Sequence, residues 1–172
     1  MAVSLYDLTV PSYLQILGGI EGVLSKGAAH CKEKGVDPNE IVETRLAPDM
    51  APFRFQIVAT AHHSAGAITG VKAGAFGPPA PSTADYAALQ KLVTEAREAL
   101  EKAKPDEVNA CAGKDVIFSV GDRKLPFTAE GFLQTFSLPN FFFHATTAYD
   151  ILRSKGVPIG KRDFLGKMKM KG

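Results

Sequence analysis

STADYAALQKLVTEAREALEKA, residues 82–103, carries the clearest helical pattern in the chain. Its apolar residues recur at steps of three and four and therefore share one face of a helix, whereas the charged residues fall on the other face. The apolar face consists of Tyr86, Leu89, Val93, Ala96, Leu100 and Ala103. A helix with one apolar face is stable when it buries that face, so we expect other helices to pack against it.

Helical stripes also occur on both sides of this segment, in residues 10–24, 46–68 and 140–155. Pro11 lies inside the first stripe and predicts a kink or a break in that helix, because proline lacks the N–H that a helix interior needs. Pro48 is a good first residue for the second helix, since proline is favoured at that position. These stripes predict four substantial helices.

Residues 116–127 break the helical pattern. Val116, Phe118 and Val120 fall at every second position there, and Gly121-Asp122 follows them, which predicts a two-stranded hairpin. The chain shows no internal repeat and no long linker, so the elements predict an all-α four-helix bundle with a small β-hairpin inserted before the last helices. We expect residues 1–166 to form one domain and residues 167–172 to form a flexible basic tail.

Composition excludes several classes of protein. The 172 residues include 20 Lys and Arg against 18 Asp and Glu, a formal net charge of +2, which argues against a strongly basic nucleic-acid binder. No apolar run is long enough to cross a bilayer, and the start lacks the pattern of a signal peptide. Cys31 and Cys111 are too few and too distant for a disulfide scaffold. We therefore expect a cytoplasmic protein with neither nucleic acid nor membrane as a partner.

The last helix carries the first candidate site. Asn140 and His144 are four residues apart and share a face, with three phenylalanines, residues 141–143, around them. A helix that is apolar nearly all round is buried on more than one side, so we expect His144 to be desolvated and neutral. A neutral imidazole is the form that binds a metal, and it is also the form of a core histidine that hydrogen-bonds to another side chain.

Asp49 is the second candidate, because its place after Pro48 predicts that it faces the core in the first turn of the second helix. An acid there is favoured by the helix dipole alone. The alternative is that Asp49 pairs with His144 or Asn140 in a buried polar cluster. His62 and His63 are adjacent, and adjacent helical residues point about 100° apart. We therefore expect these two histidines on the surface or at its rim.

Four stretches of the chain, residues 4–7, 45–50, 138–158 and 160–166, resemble an uncharacterised family, a domain of unknown function. That family is similar to the DinB/YfiT-like putative metalloenzyme superfamily. The resemblance implies a four-helix bundle, often homodimeric, that in many members binds a divalent metal through three histidines. One of these histidines lies on the second helix and two form an HxxxH pair on the last. Characterised relatives include thiol-dependent transferases and a mycothiol-dependent isomerase.

The superfamily's metal-binding pattern is only partly present in this sequence. Its HxxxH pair falls on Asn140 and His144, and its helix-two histidine falls near Asp49. The resemblance therefore implies a degenerate site of Asp49, Asn140 and His144 for a divalent metal such as Zn or Ni, although an amide is a weak ligand for either. No cofactor is firmly indicated and no catalytic residue is assigned.

Two functions remain open from the sequence. The first is a dimeric module that binds a small molecule or an interaction partner. The second is a metal-dependent enzyme of transferase or hydrolase type.

Overall fold

The computed structural model describes residues 3–171, most of which are helical. The helices are α1 (Leu5–Lys34), α2 (Asn39–Val42), α3 (Phe53–Ala61), α4 (Ala67–Ala73), α5 (Tyr86–Glu101), α6 (Pro105–Asn109), α7 (Ala129–Gly131), α8 (Leu138–Ser154) and α9 (Lys161–Leu165). Two π-helical segments interrupt the regular helices: the first, His62–Gly66, joins α3 to α4, and the second, Phe132–Ser137, joins α7 to α8. The strands are β1 (Ala75–Phe76), β2 (Asp115–Val120) and β3 (Arg123–Thr128).

Helix α1 begins and ends with the caps that its sequence encodes. The Ser4 hydroxyl accepts a hydrogen bond from the Asp7 backbone N–H at 3.1 Å, and Gly35 ends the helix with a positive φ of 67°. The helix continues through Pro11, so the predicted break does not occur. Because Pro11 and Asp7 are exposed, the Asp7 carbonyl that loses its helical partner lies on the solvent side.

The second long helix starts later than predicted. Pro48 lies in a turn, and α3 begins at Phe53, directly after Pro52. A helix that began at Pro48 would place Pro52 in its interior, where a proline ring clashes with the carbonyl four residues earlier. The loop is closed instead by a hydrogen bond from the Phe53 N–H to the Thr44 carbonyl at 2.8 Å.

Helix α5 packs against α1 and α3 through the apolar face that the sequence predicts. The hydroxyl of buried Tyr86 donates a hydrogen bond to the Leu24 carbonyl at 2.8 Å. Gly27 leaves room for that hydroxyl, because a Cβ at position 27 would lie 2.3 Å from it. Helix α8 packs against α1 and α3, and so completes a core that includes Leu17, Phe53 and Phe141.

The predicted hairpin is present, and a third strand joins it. Strands β2 and β3 pair antiparallel, while β1 pairs parallel with β2 in the register Ala75 to Ile117 and Phe76 to Phe118. Strand β1 follows α4 directly. The sheet therefore fixes the end of the α3–α4 region and places the Phe76 ring against His62, with 4.3 Å between the ring centroids.

The carboxyl-terminal segment folds back onto α1. Helix α9 contacts α1 at Gly19, where a Cβ would lie 2.2 Å from the Phe164 carbonyl oxygen. The backbones of α1 and α9 therefore approach each other closely at Gly19. Residues 167–171 are exposed and have neither helix nor strand, and their flexibility stays a prediction. Gly172 lies outside the described residues.

No helix within residues 3–171 combines the length and the apolar character that a membrane crossing requires.

Candidate functional site

Helices α3 and α8 lie side by side and join Gln56 to His144. The His144 Nδ1 and Gln56 Oε1 atoms are 2.7 Å apart, and the Gln56 Nε2 donates to the Ala51 carbonyl at 2.8 Å. A carbonyl oxygen only accepts hydrogen bonds, so the amide nitrogen must face Ala51 and the amide oxygen must face His144. The proton on His144 therefore lies on Nδ1, and Nε2 keeps its lone pair.

His144 is half-buried among aromatic rings, and burial lowers its pKa to about 4. Its ring meets Phe55 and Phe143 edge-on, with centroid separations of 5.6 Å and 5.3 Å. His144 is thus desolvated as predicted, and its hydrogen bond to Gln56 matches the alternative of a core histidine, while its role as a metal ligand stays a prediction. Its neutral Nε2 is a hydrogen-bond acceptor at physiological pH.

His63 stacks on His144, with 5.9 Å between the ring centroids and 17° between the planes. Its side chain is only 6% exposed, so the prediction of a surface position is wrong. The physical reason is helical spacing: His63 follows Gln56 by about two turns, so both side chains lie on the face that packs against His144 of α8. Burial, and then the neighbouring imidazoles of His62 and His144, lower the pKa of His63 to about 3.

His62 extends this group toward the sheet. Its Nε2 donates to the Gly77 carbonyl at 2.7 Å, and its ring centroid is 5.6 Å from that of His63. We call Gln56, His62, His63 and His144 the imidazole cluster. Within residues 3–171, the buried Nδ1 of His63 has no hydrogen-bond partner. An unpaired buried polar atom is unfavourable for stability, which marks the cluster as a candidate functional site.

Sequence reasoning missed Gln56 and misplaced His63, although a signal for both was present. Gln56 and His63 are seven residues apart, about two helical turns, and both fall among the apolar residues of the second stripe. A polar side chain in the middle of an apolar stripe is buried when the helix packs, and it then needs a partner.

A buried hydrogen-bond chain holds the backbone beneath the cluster. The Tyr13 hydroxyl donates to Ser137 Oγ at 3.2 Å, and Ser137 Oγ donates to the His63 carbonyl at 2.8 Å. Burial raises the pKa of Tyr13 above its ordinary value, so the phenol stays protonated and remains a donor. This chain joins α1 to both π-helical segments and thereby fixes the position of His63.

The predicted metal ligands occupy different environments. Asp49 is exposed in the turn before α3, so the prediction that it faces the core is wrong, and the reason is the late start of α3 after Pro52. Asn140 is half-buried, and its Nδ2 donates to the Phe136 carbonyl at 2.7 Å. In the part of the chain that the structure describes, neither a hydrogen bond nor an ion pair joins Asp49 to Asn140 or His144.

The donors present do not fit the three-histidine centre that the resemblance implies. No group of three His, Cys, Asp or Glu side chains within residues 3–171 is placed to hold a metal ion. The degenerate metal site of Asp49, Asn140 and His144, in which Asn140 would contribute an amide, stays a prediction.

The helical fold with its small sheet is that of DinB-like proteins. It matches the crystal structure of a DinB family member protein from Shewanella denitrificans with a TM-score of 0.80 and 27% sequence identity, over 98% of this chain and 95% of that chain. The chain belongs to the family described as a domain of unknown function (DUF1993), whose sequence profile matches residues 5–165. The predicted resemblance is confirmed. A search of the curated proteins found no match.

Proposed function

We propose that this chain binds a small molecule at the imidazole cluster. The observation that carries the proposal is the hydrogen bond between His144 Nδ1 and Gln56 Oε1. It leaves the neutral Nε2 of a half-buried imidazole as an acceptor, between the partly exposed rings of Phe55 and Phe143. Ligand sites usually combine apolar and aromatic walls with a few fixed polar groups, and this arrangement has both.

The chemistry of the cluster favours one class of ligand. A compound with an N–H or O–H donor satisfies the His144 Nε2, and an aromatic ring attached to that donor packs against Phe55 and Phe143. A charged ligand is disfavoured beside His63 and His144, because burial in this site already disfavours the charged form of both imidazoles. The proposed ligand is therefore a neutral aromatic donor.

The test uses phenol and indole as probes and the side-chain 15N signals of the histidines as the readout. We expect the His144 Nε2 signal to shift on titration while Nδ1 stays protonated. His144→Phe keeps a ring but removes the acceptor, so it should abolish probe binding. His30→Phe, a substitution of another half-buried histidine, is the matched control. Equal probe binding by wild type and His144→Phe would contradict the proposal.

We also propose that α1, α3–α4, α5 and α8 form a four-helix bundle that associates as a homodimer. Contacts of α1 with α5 and α8, and of α3 with the same two helices, support the bundle. Phe142 and Phe143 are 39% and 56% exposed, which gives α8 an apolar surface for a second copy. Light scattering should then give twice the monomer mass of 18.4 kDa. The monomer mass at all micromolar concentrations would overturn the dimer.

The alternative function is a divalent-metal-dependent enzyme of transferase or hydrolase type with the Asp49, Asn140 and His144 set. The neutral Nε2 of His144 favours it, because a neutral imidazole nitrogen is a metal ligand. Elemental mass spectrometry of protein incubated with Zn and Ni distinguishes the two functions. Stoichiometric metal that is lost in His144→Ala supports the alternative, and protein without metal supports the first proposal. We also propose a cytoplasmic location, because Cys31 and Cys111 are both free thiols and thiols stay reduced in that compartment.

A further inference from the structure

A cavity of about 390 Å³ lies beside α3, under a proline-rich segment. We call that segment, residues 77–82, the proline strap. Two side chains hold its ends: His62 Nε2 donates to the Gly77 carbonyl at 2.7 Å, and Arg54 Nη1 donates to the Ser82 carbonyl at 3.0 Å. The volume is in the range of small-molecule pockets.

The walls of this cavity are mostly apolar. Pro52, Phe55 and Val58 line one side, and Pro79 and Pro81 of the proline strap line the other. The charged groups that line it are one cation and one anion, the side chains of Arg54 and Glu43. An apolar pocket with a single fixed cation selects a ligand with a hydrocarbon part and one negative charge.

The hydrogen bonds of Arg54 show where such a charge would bind. Nη1 is used by the proline strap, and Nη2 pairs with the carboxylate of Glu43. The buried Nε has no hydrogen-bond partner among residues 3–171. Nε and Nη2 form one edge of the guanidinium, and that edge can bind both oxygens of a carboxylate.

Glu43 is a weak competitor for that edge. Its side chain is 63% exposed, whereas that of Arg54 is 22% exposed, so the carboxylate of Glu43 can return to solvent with little loss. A ligand whose carboxylate takes the place of Glu43 also accepts a hydrogen bond from Nε, and the hydrocarbon part of that ligand is buried in the cavity.

We propose that this cavity binds a small organic acid, with the carboxylate on the Nε–Nη2 edge of Arg54 and the hydrocarbon part between Phe55, Val58 and the proline strap. The site goes beyond the proposed function, because it uses neither His63 nor His144 and takes an anion instead of a neutral donor. The two sites adjoin: Phe55 lines the cavity and its ring meets that of His144, and His62 of the imidazole cluster holds one end of the proline strap.

Calorimetric titration with three probes tests the proposal: 3-phenylpropionate, octanoate and the uncharged analogue 3-phenylpropionamide. We expect at least one acid to bind with a Kd below about 1 mM, and 3-phenylpropionamide to bind at least about tenfold more weakly than 3-phenylpropionate. The two acids distinguish an aromatic ligand from an aliphatic one, and binding of either supports the site. Absence of binding by both acids, or measurable binding of 3-phenylpropionate that its amide equals, would overturn the proposal.

Two substitutions assign the binding to Arg54. Arg54→Lys keeps the charge but loses the two-donor edge, so the acid should bind at least about tenfold more weakly. Glu43→Gln removes the competing carboxylate and should tighten binding. The matched control is Arg97→Lys, an arginine on α5 that pairs with Glu21 and Glu101.

His144→Phe should leave the acid affinity unchanged, which separates this site from the imidazole cluster. Circular dichroism checks the fold of each variant. If Arg54→Lys does not fold, the amide probe and Glu43→Gln still decide the question. Weaker acid binding by Glu43→Gln, or equal effects of Arg54→Lys and Arg97→Lys, would contradict the assignment.

Discussion

Two faces of α8 differ in what they contribute to the protein. On the face toward α1, Phe141 is fully buried and its ring meets Tyr13 edge-on, with 4.9 Å between centroids. On the face toward α3, Asn140 and His144 are half-buried, and His144 bonds to Gln56. Apolar packing stabilises the first face, whereas desolvated polar groups reduce stability on the second. One helix thus provides both the core and the candidate site.

The largest expected effect comes from the face toward α1. Phe141→Ala removes a fully enclosed ring and should lower the free energy of unfolding by about 3–5 kcal/mol, measured by chemical denaturation. Leu125→Ala on the hairpin is the control, because that side chain is 45% exposed, and it should change the free energy by less than about 1 kcal/mol. Equal losses from the two substitutions would mean that the ring of Phe141 is not enclosed.

Gly27 offers a second test of the same packing. A Cβ there would lie 2.3 Å from the Tyr86 hydroxyl and 3.2 Å from a methyl group of Leu152 on α8. Gly27→Ala should therefore lower the free energy of unfolding by about 1–3 kcal/mol, as overpacking does.

Gly22→Ala is the control for this test, because within residues 3–171 no atom approaches the position of its Cβ within 4 Å. Alanine is the better helix former, so this change should stabilise by up to about 1 kcal/mol. In thermal unfolding, the Tm of Gly27→Ala should be lower than that of the wild type and the Tm of Gly22→Ala should be higher. If Gly27→Ala is more stable than the wild type, the Tyr86 side chain moves aside without lowering the free energy of unfolding.

The polar face predicts that stability depends on pH. Unfolded histidines have a pKa of about 6.5, whereas burial lowers the pKa of His144 to about 4 and that of His63 to about 3. Between these pH values the unfolded chain binds more protons than the folded chain does. The free energy of unfolding therefore falls as the pH falls from about 6.5 toward 4. Each histidine contributes a slope of up to about 1.4 kcal/mol per pH unit.

Denaturation at a series of pH values should show a shallower slope for His63→Asn and for His144→Asn than for the wild type. Carboxylates also titrate in this range, so the difference between wild type and variant is the informative quantity. Slopes that do not change in either variant would mean that both imidazoles are protonated equally in the folded and unfolded chains.

The sequence predicted those parts of the molecule that local patterns determine. The stripe of α5 and the hairpin both depend on residues close together in the chain. The π-helical segments depend on packing between distant elements, and no local pattern indicated them. His63 was misplaced because its divergence from His62 does not decide its burial, whereas its spacing of two turns from Gln56 does. The desolvation of His144 was predicted, and its role as a metal ligand stays a prediction.

Substitution of Asp49 should have the smallest effect on stability. It tests most directly whether packing, and not the local sequence pattern, decides where this residue lies. It lies exposed in a turn, so Asp49→Asn should change the free energy of unfolding by less than about 0.5 kcal/mol. A carboxylate close to His144 would favour the imidazolium and raise the pKa of His144, and its removal would lower that pKa. We expect the pKa of His144, followed by histidine 15N shifts, to be the same in wild type and Asp49→Asn. A lower value in the variant would place Asp49 at the polar face of α8, as the resemblance to metal-binding relatives implies, and would favour the metal-dependent alternative over the neutral aromatic ligand.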